Sequence, residues 1–463
     1  MDVKVKYHLA FIWRICLVAA LGGLLFGYDW VVIGGAKPFF VKFFGLTSEA
    51  IIGWAMSNAL VGCLIGSVIS GMASDKYGRK RLLILAGLLF VVSAIGTGMA
   101  NAFSVFVFYR LLGGIGIGLA SNLSPMYIAE ISPAEMRGKF VSINQLTIVI
   151  GVVAAQVVNW LIAMNMPEGF SEEQILASWY GQTGWRWMFA AEAVPATFFF
   201  IMMFFVPESP RWLVKNAKDE EAKDVLARIG GTEYADLEVT DIKSTLKNDV
   251  SKVNFSDLVE PKMMGVIVIG VLLAALQQWC GINVIFYYAE DVFKAAGYEI
   301  SGLMLNIVWT GLIMLVFTFV AIFTVDRVGR KVLMLAGSAG LTVIYAVLGS
   351  CYYFNMQGAF MLILVLSAIA CYSFSLAPVT WVLLSELFPN RIRGAAMSIS
   401  VFSLWATCWA LAQWFPAMNK NLGAHGSFWI FGGVCFLGFI YIWKVLPETK
   451  NKTLEEIERE LVD

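Results

Sequence analysis

DKYGRK at 75–80 returns as DRVGRK at 326–331. Each copy ends one long apolar run and opens another, and other echoes run alongside it. Glu130 stands seven residues before the Arg137 of an RG pair, as Glu386 does before Arg393. PESPRWL at 207–213 is matched by PETKNKTL at 447–454. The apolar runs around these signals are long enough to span a bilayer, which takes about 20 mostly apolar residues. Twelve can be marked, near 9–34, 50–73, 82–101, 104–126, 140–163, 185–206, 263–289, 303–325, 332–354, 358–385, 394–416 and 427–446. The three echoes fall after spans 2 and 8, 4 and 10, and 6 and 12. The order predicts an all-α integral membrane fold of two six-helix bundles in parallel repeat, 1–206 and 263–446. A charged linker, 207–262, joins them, and a charged tail follows at 447–463.

Composition agrees. Of 463 residues, 59% are hydrophobic and 14% charged, with a mean hydropathy of +0.74. Soluble chains are about 45–50% apolar and about 25% charged. A net charge of zero gives no general attraction for nucleic acid. The two histidines, His8 and His425, cannot build a histidine-rich metal site. The seven cysteines sit in or beside apolar runs without CxxC spacing, so they read as small buried hydrophobes. No metal site and no cofactor is expected.

Lys and Arg set the orientation. With both termini inside, the outer loops hold Lys37, Lys42, Arg186, Lys294 and Lys420, five of the 33. Nearly all the rest lie at the inner face. The first run is too long for a cleaved signal peptide, and Asp29 and Trp30 stand where small residues would be needed. The short loop after span 1 and the lack of a glycosylation sequon in any outer loop point to a bacterial inner membrane.

Parallel repeats of this kind place a substrate site between the halves, near the midplane, reached alternately from each side. Asp near Arg, and Glu seven residues from Arg, can form charge-assisted pairs between helix ends. Asp75, Arg79, Glu130, Arg137 and Glu208, with Asp326, Arg330, Glu386, Arg393 and Glu448, therefore form a candidate gating network at the inner face. The alternative is charge that only sets topology.

With these signals the chain resembles the sugar porter family of the major facilitator superfamily over essentially its whole length. GGLLFGYD at 22–29, QQWCGINVIFYY at 277–288 and WVLLSELFPNRIRG at 381–394 carry the likeness together with the twinned loops. The match is nearest to the family's bacterial proton-coupled xylose symporters and extends to the animal glucose facilitators. The resemblance implies a sugar carrier working as one chain, with short amphipathic helices in the linker that brace the two halves.

Three ionisable residues lie well inside the spans: Asp29, Arg110 and Glu192. Such residues are functional candidates by default. At 1.5 Å per helical residue, Arg110 lies about 9 Å into span 4 and Glu192 about 10 Å into span 6. Asp29 sits near the outer end of span 1, so an Asp29–Arg110 contact is plausible from depth alone. Such a contact would hold the carboxylate ionised, and separation would favour its protonation. A static ion pair that only fixes packing is the alternative. The resemblance favours coupling, because the family's proton symporters carry Asp here and its uniporters typically carry Asn. Glu192 is either a further proton group or a hydrogen-bonded partner of the inner helices.

A sugar needs groups that both donate and accept, plus a flat apolar partner. Span 7 carries Gln277, Gln278 and Asn283, with Gly281 between them as a point of local unwinding. The resemblance assigns these three to sugar contacts, together with Gln145 and Trp381. Pro378 points to a broken span 10. Phe26, Tyr287 and Tyr288 are further candidates. Met314 and Leu404 stand where the xylose symporters have amides, so the choice of hydroxyls differs while a pentose, hexose or deoxy-hexose remains the expected substrate. Two other functions compete: a facilitative uniporter and a non-transporting sugar receptor. The receptor would be expected to carry a long signalling extension. An enzyme is disfavoured, because no nucleophile–base pair, paired carboxylates or phosphate loop appears in the spans.

Overall fold

The computed structural model describes residues 7–167, 169–248, 258, 260–297, 300–388 and 393–450, and is helical throughout its spans. The side chains of Asp326 and Arg393, the linker stretch 249–257 and the tail from 451 onward lie outside the described residues.

Among the described residues, ten helices are long and apolar enough to cross a membrane. The last of them, Arg393–Val445, folds back at Gly423 (φ 69°) and so supplies spans 11 and 12. Span 6 comprises Trp185–Ala190 and Ala193–Met202, joined through Ala191 and Glu192 with helical backbone angles. The ladder tightens there, with Glu192 N–H donating to the Phe189 carbonyl at 3.2 Å ahead of Pro195, so the buried carboxylate sits at a distorted turn. Span 1 runs on as one helix, Leu9–Phe43, past the expected end at 34 and through Pro38.

Spans 7 and 10 are interrupted. Span 7 comprises Pro261–Trp279, Ile282–Tyr287 and Ala289–Ala295, and the first break is Gly281 at φ 86°. A left-handed residue cannot continue a right-handed helix, and glycine adopts that conformation without a Cβ penalty. Span 10 comprises Ala359–Phe374 and Leu376–Leu387. Pro378, three residues past the break at Ser375, has no N–H to give the Phe374 carbonyl.

Within the first half, span 1 packs on span 5, and span 4 packs on spans 2 and 3. The approach of spans 1 and 5 is close: a Cβ on Gly27 would lie 1.9 Å from the Ile148 carbonyl oxygen, and one on Gly151 2.0 Å from that of Leu24. Small residues of this kind let membrane helices meet at backbone distance. In the second half, spans 11 and 12 pack on spans 7 and 9, and span 8 on span 10. The halves meet along spans 2 and 11 and along spans 5 and 8.

Three further helices, Pro210–Lys215, Asp219–Gly230 and Thr232–Asn248, follow span 6. Their described contacts hold them to the first half. Trp212 Nε1 donates to the Asp75 carbonyl at 2.9 Å, and the Arg228 guanidinium stacks on Phe11 at 4.2 Å. The His8 N–H donates to the Ile229 carbonyl at 2.8 Å, so span 1 begins on the face that carries the basic loops. Glu448 meets Arg330 on that same face, so span 12 ends there.

Candidate functional site

The repeat seen in the loops is a repeat of contacts. Glu208 accepts from the backbone N–H groups of Arg79 at 3.0 Å and Lys80 at 3.1 Å, capping the start of span 3. Glu448 does the same for Arg330 at 2.9 Å and Lys331 at 3.1 Å at the start of span 9. A carboxylate at a helix N-terminus answers both the free N–H groups and the helix dipole. Arg79 donates to Glu130 at 2.9 Å, and Arg330 to Glu386 at 2.9 Å. The second oxygen of Glu130 takes the hydroxyl of Ser209, as that of Glu386 takes the hydroxyl of Thr449. Asp75 joins the first copy, 3.4 Å from Arg79 and 2.7 Å from Lys215.

One feature of this network differs from the expectation. Glu130 pairs with Arg79, not with Arg137, whose Nε donates instead to the Ala129 carbonyl at 3.0 Å. Each Glu–Arg pair also lies within one half. Ser209 and Thr449 were missed. Each follows the Glu of a PE dipeptide in the matched loops, and that placement was the available signal.

In the first half, the Arg110 guanidinium donates to the Asp29 carboxylate. Both side chains are 2% exposed. A second Arg110 nitrogen reaches the Asp29 carbonyl at 3.4 Å, and the guanidinium lies 5.3 Å over the Phe189 ring. The remaining carboxylate oxygen, Oδ2, is buried without a hydrogen-bond partner and faces Gly113, where a Cβ would lie 2.8 Å away. Glu192, one turn past Phe189, is buried with Oε1 also unpartnered, and the charges acting on it are those of Asp29 and Arg110. The three ionisable residues thus form one dry cluster.

In the second half, the break at Gly281 brings the span 7 amides together. Asn283 Nδ2 donates to Gln278 Oε1, and Gln278 Nε2 lies 3.3 Å from Gln277 Oε1. Gln277 Nε2 in turn donates to the Ala377 carbonyl at 2.9 Å, beside the break in span 10. Asn283 Oδ1 and the Tyr287 hydroxyl are buried without partners. Tyr288 differs: its hydroxyl donates to the Ala412 carbonyl at 2.5 Å, a packing contact. Phe26 is half-buried, 5.7 Å from Trp405 of span 11 in an edge contact. Gln145 and Trp381 are half-buried on spans 5 and 10. Met314 and Leu404 are buried, as apolar replacements for amides should be. Trp405, whose Nε1 is buried and unpartnered, was not singled out from the sequence; it immediately follows Leu404.

Polar contacts also join the halves on the side away from the basic loops. Ser57 donates to Gln413 at 2.8 Å, and Gln413 to the Ala50 carbonyl at 3.0 Å. Gln156 donates to Thr310 at 3.1 Å, and Lys37 to Asp291 at 2.6 Å. The molecule is therefore closed on that side.

A buried charge pair in one half and amides clustered at broken helices in the other define a membrane carrier. The sequence pattern of the family described as "Sugar (and other) transporter" matches residues 15–461. The chain is 41% identical to the D-xylose-proton symporter of Escherichia coli (strain K12), over 98% of this chain and 97% of that one. It is 38% identical to the arabinose-proton symporter of Bacillus subtilis (strain 168), over 99% and 97%. A partially occluded, inward-open structure of the xylose transporter from E. coli superposes with a TM-score of 0.84 at 38% identity, covering 96% of this chain and 100% of that one. The chain belongs to the sugar transporter family, and it is a multi-pass membrane protein with the major facilitator fold.

Proposed function

We propose that this chain imports a monosaccharide, a pentose or a hexose, together with a proton, by alternating access between its two halves. The observation that carries the reading is the division of labour between them. A dry Asp29–Arg110–Glu192 cluster sits in the first half, and an amide cluster with unpartnered polar atoms sits in the second. The names of the xylose and arabinose relatives, both proton symporters, support the same reading.

Asp29 takes up the proton when Arg110 leaves it, because an unpaired carboxylate in a dry site is neutral. Arg110 restores the charge when it returns. Glu192, within the field of both, stabilises the neutral arrangement. Gln277, Gln278 and Asn283 give and take hydrogen bonds with the sugar hydroxyls, joined by Gln145 of span 5. Trp381, Phe26 and Tyr287 supply ring faces; Tyr288 packs behind them. Met314 and Leu404 remove two polar contacts and select against sugars that need them. The twin Glu–Arg networks keep the basic end of each half rigid as it rocks, so that opening runs between the halves.

The basic face is the cytoplasmic one by the excess of Lys and Arg there, which places both termini inside a bacterial inner membrane. The halves are bounded at 1–206 and 263–446, with the linker at 207–262 and the tail at 447–463. The chain works as a monomer and performs no covalent chemistry. The test is uptake of labelled pentoses and hexoses into proteoliposomes, with and without acid outside. One sugar accumulating only with the gradient supports symport. Equilibration indifferent to the gradient overturns proton coupling.

A further inference from the structure

Lys37 reads as a loop residue in the sequence but lies inside the helix Leu9–Phe43, 7% exposed. Its ammonium group crosses to the other half. It donates to Asp291 Oδ2 at 2.6 Å and Glu290 Oε2 at 3.3 Å, and lies 5.6 Å over the Tyr288 ring. Glu290 is itself 7% exposed, and its other oxygen takes a hydrogen bond from Lys294 at 2.6 Å.

The ion pair ends a seam between spans 1 and 7. Trp30 meets Phe286 and Tyr287 at ring distances of 5.5 and 5.8 Å. One turn on, Gly34 admits the Phe286 backbone, where a Cβ would lie 2.0 Å from the carbonyl oxygen. Lys37 follows three residues later. These positions recur at helical spacing, so one face of span 1 runs along span 7. Among the described residues, a second ionic contact between the halves on this side, Lys420 with Glu49, is 66% and 31% exposed and correspondingly weak.

Opening the molecule on this side must carry Lys37 away with the first half and leave Glu290 and Asp291 on the second. The four charges, Lys37, Lys294, Glu290 and Asp291, cancel while the seam is shut. Each is hydrated once it is open. For Lys37, whose side chain is 9% exposed, a part-open seam offers neither partner nor water, so intermediate positions are penalised and the seam behaves as a two-state element.

We propose that Lys37, with Glu290 and Asp291, is the latch of the outward mouth, a set of positioning residues that fixes how often the sugar site faces outward. The inference rests on the transport reading above. Apparent external affinity falls with the fraction of molecules in the competent state. A weaker latch therefore improves the apparent affinity for external sugar and worsens it for internal sugar.

The direct test is a spin-label distance measurement on the full chain in proteoliposomes without sugar. The labels go on Thr47→Cys and Met356→Cys, two exposed positions on the outer side of the two halves, while the native cysteines are buried. Lys37→Met should move the distribution to longer distances. Glu290→Gln combined with Asp291→Asn should do the same with little change in size. Exchanging all four charges, Lys37→Glu with Glu290→Lys, Asp291→Lys and Lys294→Glu, keeps their sum at zero and should return it toward the parent. Uptake by Lys37→Met should show an external KM at least threefold lower and an efflux KM higher. Distances unchanged in both the Lys37→Met and the Glu290→Gln/Asp291→Asn proteins overturn the latch, as does a rise in both KM values together. A parent chain that moves no sugar under any gradient overturns the transport reading instead, and the distances still decide the latch.

Discussion

Arg110 on span 4 holds Asp29 on span 1 in an ion pair that excludes water from both side chains, 2% exposed each, and leaves one carboxylate oxygen without a partner against Gly113. The pair is closed but not saturated. A structural ion pair satisfies its lone pairs, because an unmet buried polar atom costs about 1–3 kcal/mol. This one keeps an acceptor in reserve, which suits a carboxyl that must take up a proton.

Removing one member of a buried pair leaves the other uncompensated, at a cost of about 3–5 kcal/mol. Arg110→Met should therefore destabilise the protein by about that amount, and adding Asp29→Asn should return part of it. Thermal unfolding in detergent, run as a double-mutant cycle, checks this. A double variant destabilised by the sum of the two single variants would mean that the two residues do not share their energy.

Ala at Gln278 or Asn283 should weaken binding of the transported sugar by about 1–3 kcal/mol, the cost of a lost buried hydrogen-bond partner. Calorimetric titration with the sugar identified by uptake measures it. Affinity unchanged in both variants would put the sugar elsewhere.

Gly281→Ala tests the break in span 7. The residue sits at φ 86°, and a Cβ would fall 2.5 Å from the Phe431 ring. Straightening the helix there would part Asn283 from Gln278. Sugar binding should drop at least as far as in Asn283→Ala, and trimming Phe431 to Ala should not restore it, because the backbone strain remains. Full restoration by Phe431→Ala would reduce the glycine to a matter of space.

Arg79→Glu should place a second negative charge beside Glu130, 2.9 Å from the guanidinium it replaces, and Arg330→Glu should do so beside Glu386, also at 2.9 Å. Both should loosen the basic end of their half and change the balance of inward- and outward-facing molecules. Spin-label distances across the basic face report the change. An identical distribution in both variants would leave these arginines with topology alone.

Much of this was legible in the sequence, for reasons particular to the residues. Span length and the twinned loops follow from local composition, which the bilayer enforces; hence the twelve spans and their repeat. Gly281 betrayed the turn in span 7 because only glycine takes that backbone angle freely. Partner choice was less legible. Glu130 was expected near Arg137 by spacing, yet Arg79 is its partner, because spans 3 and 4 pack side by side while Arg137 turns back onto the Ala129 carbonyl. Lys37 was read as loop because it lies past the apolar run that was marked as ending at 34. In a membrane helix the neighbouring chain supplies the missing contacts and the helix continues. The loosened turn at Glu192 was announced by Pro195, which has no N–H to give the Ala191 carbonyl, and that signal went unread.

Asp29→Asn is the most direct test of the central claim, measured as two rates in one preparation. The account predicts that the variant, in proteoliposomes with acid outside, no longer accumulates sugar above the external concentration but still exchanges it in counterflow. Accumulation equal to that of the parent chain would contradict it, and Asp29 would have no part in coupling the proton to the sugar.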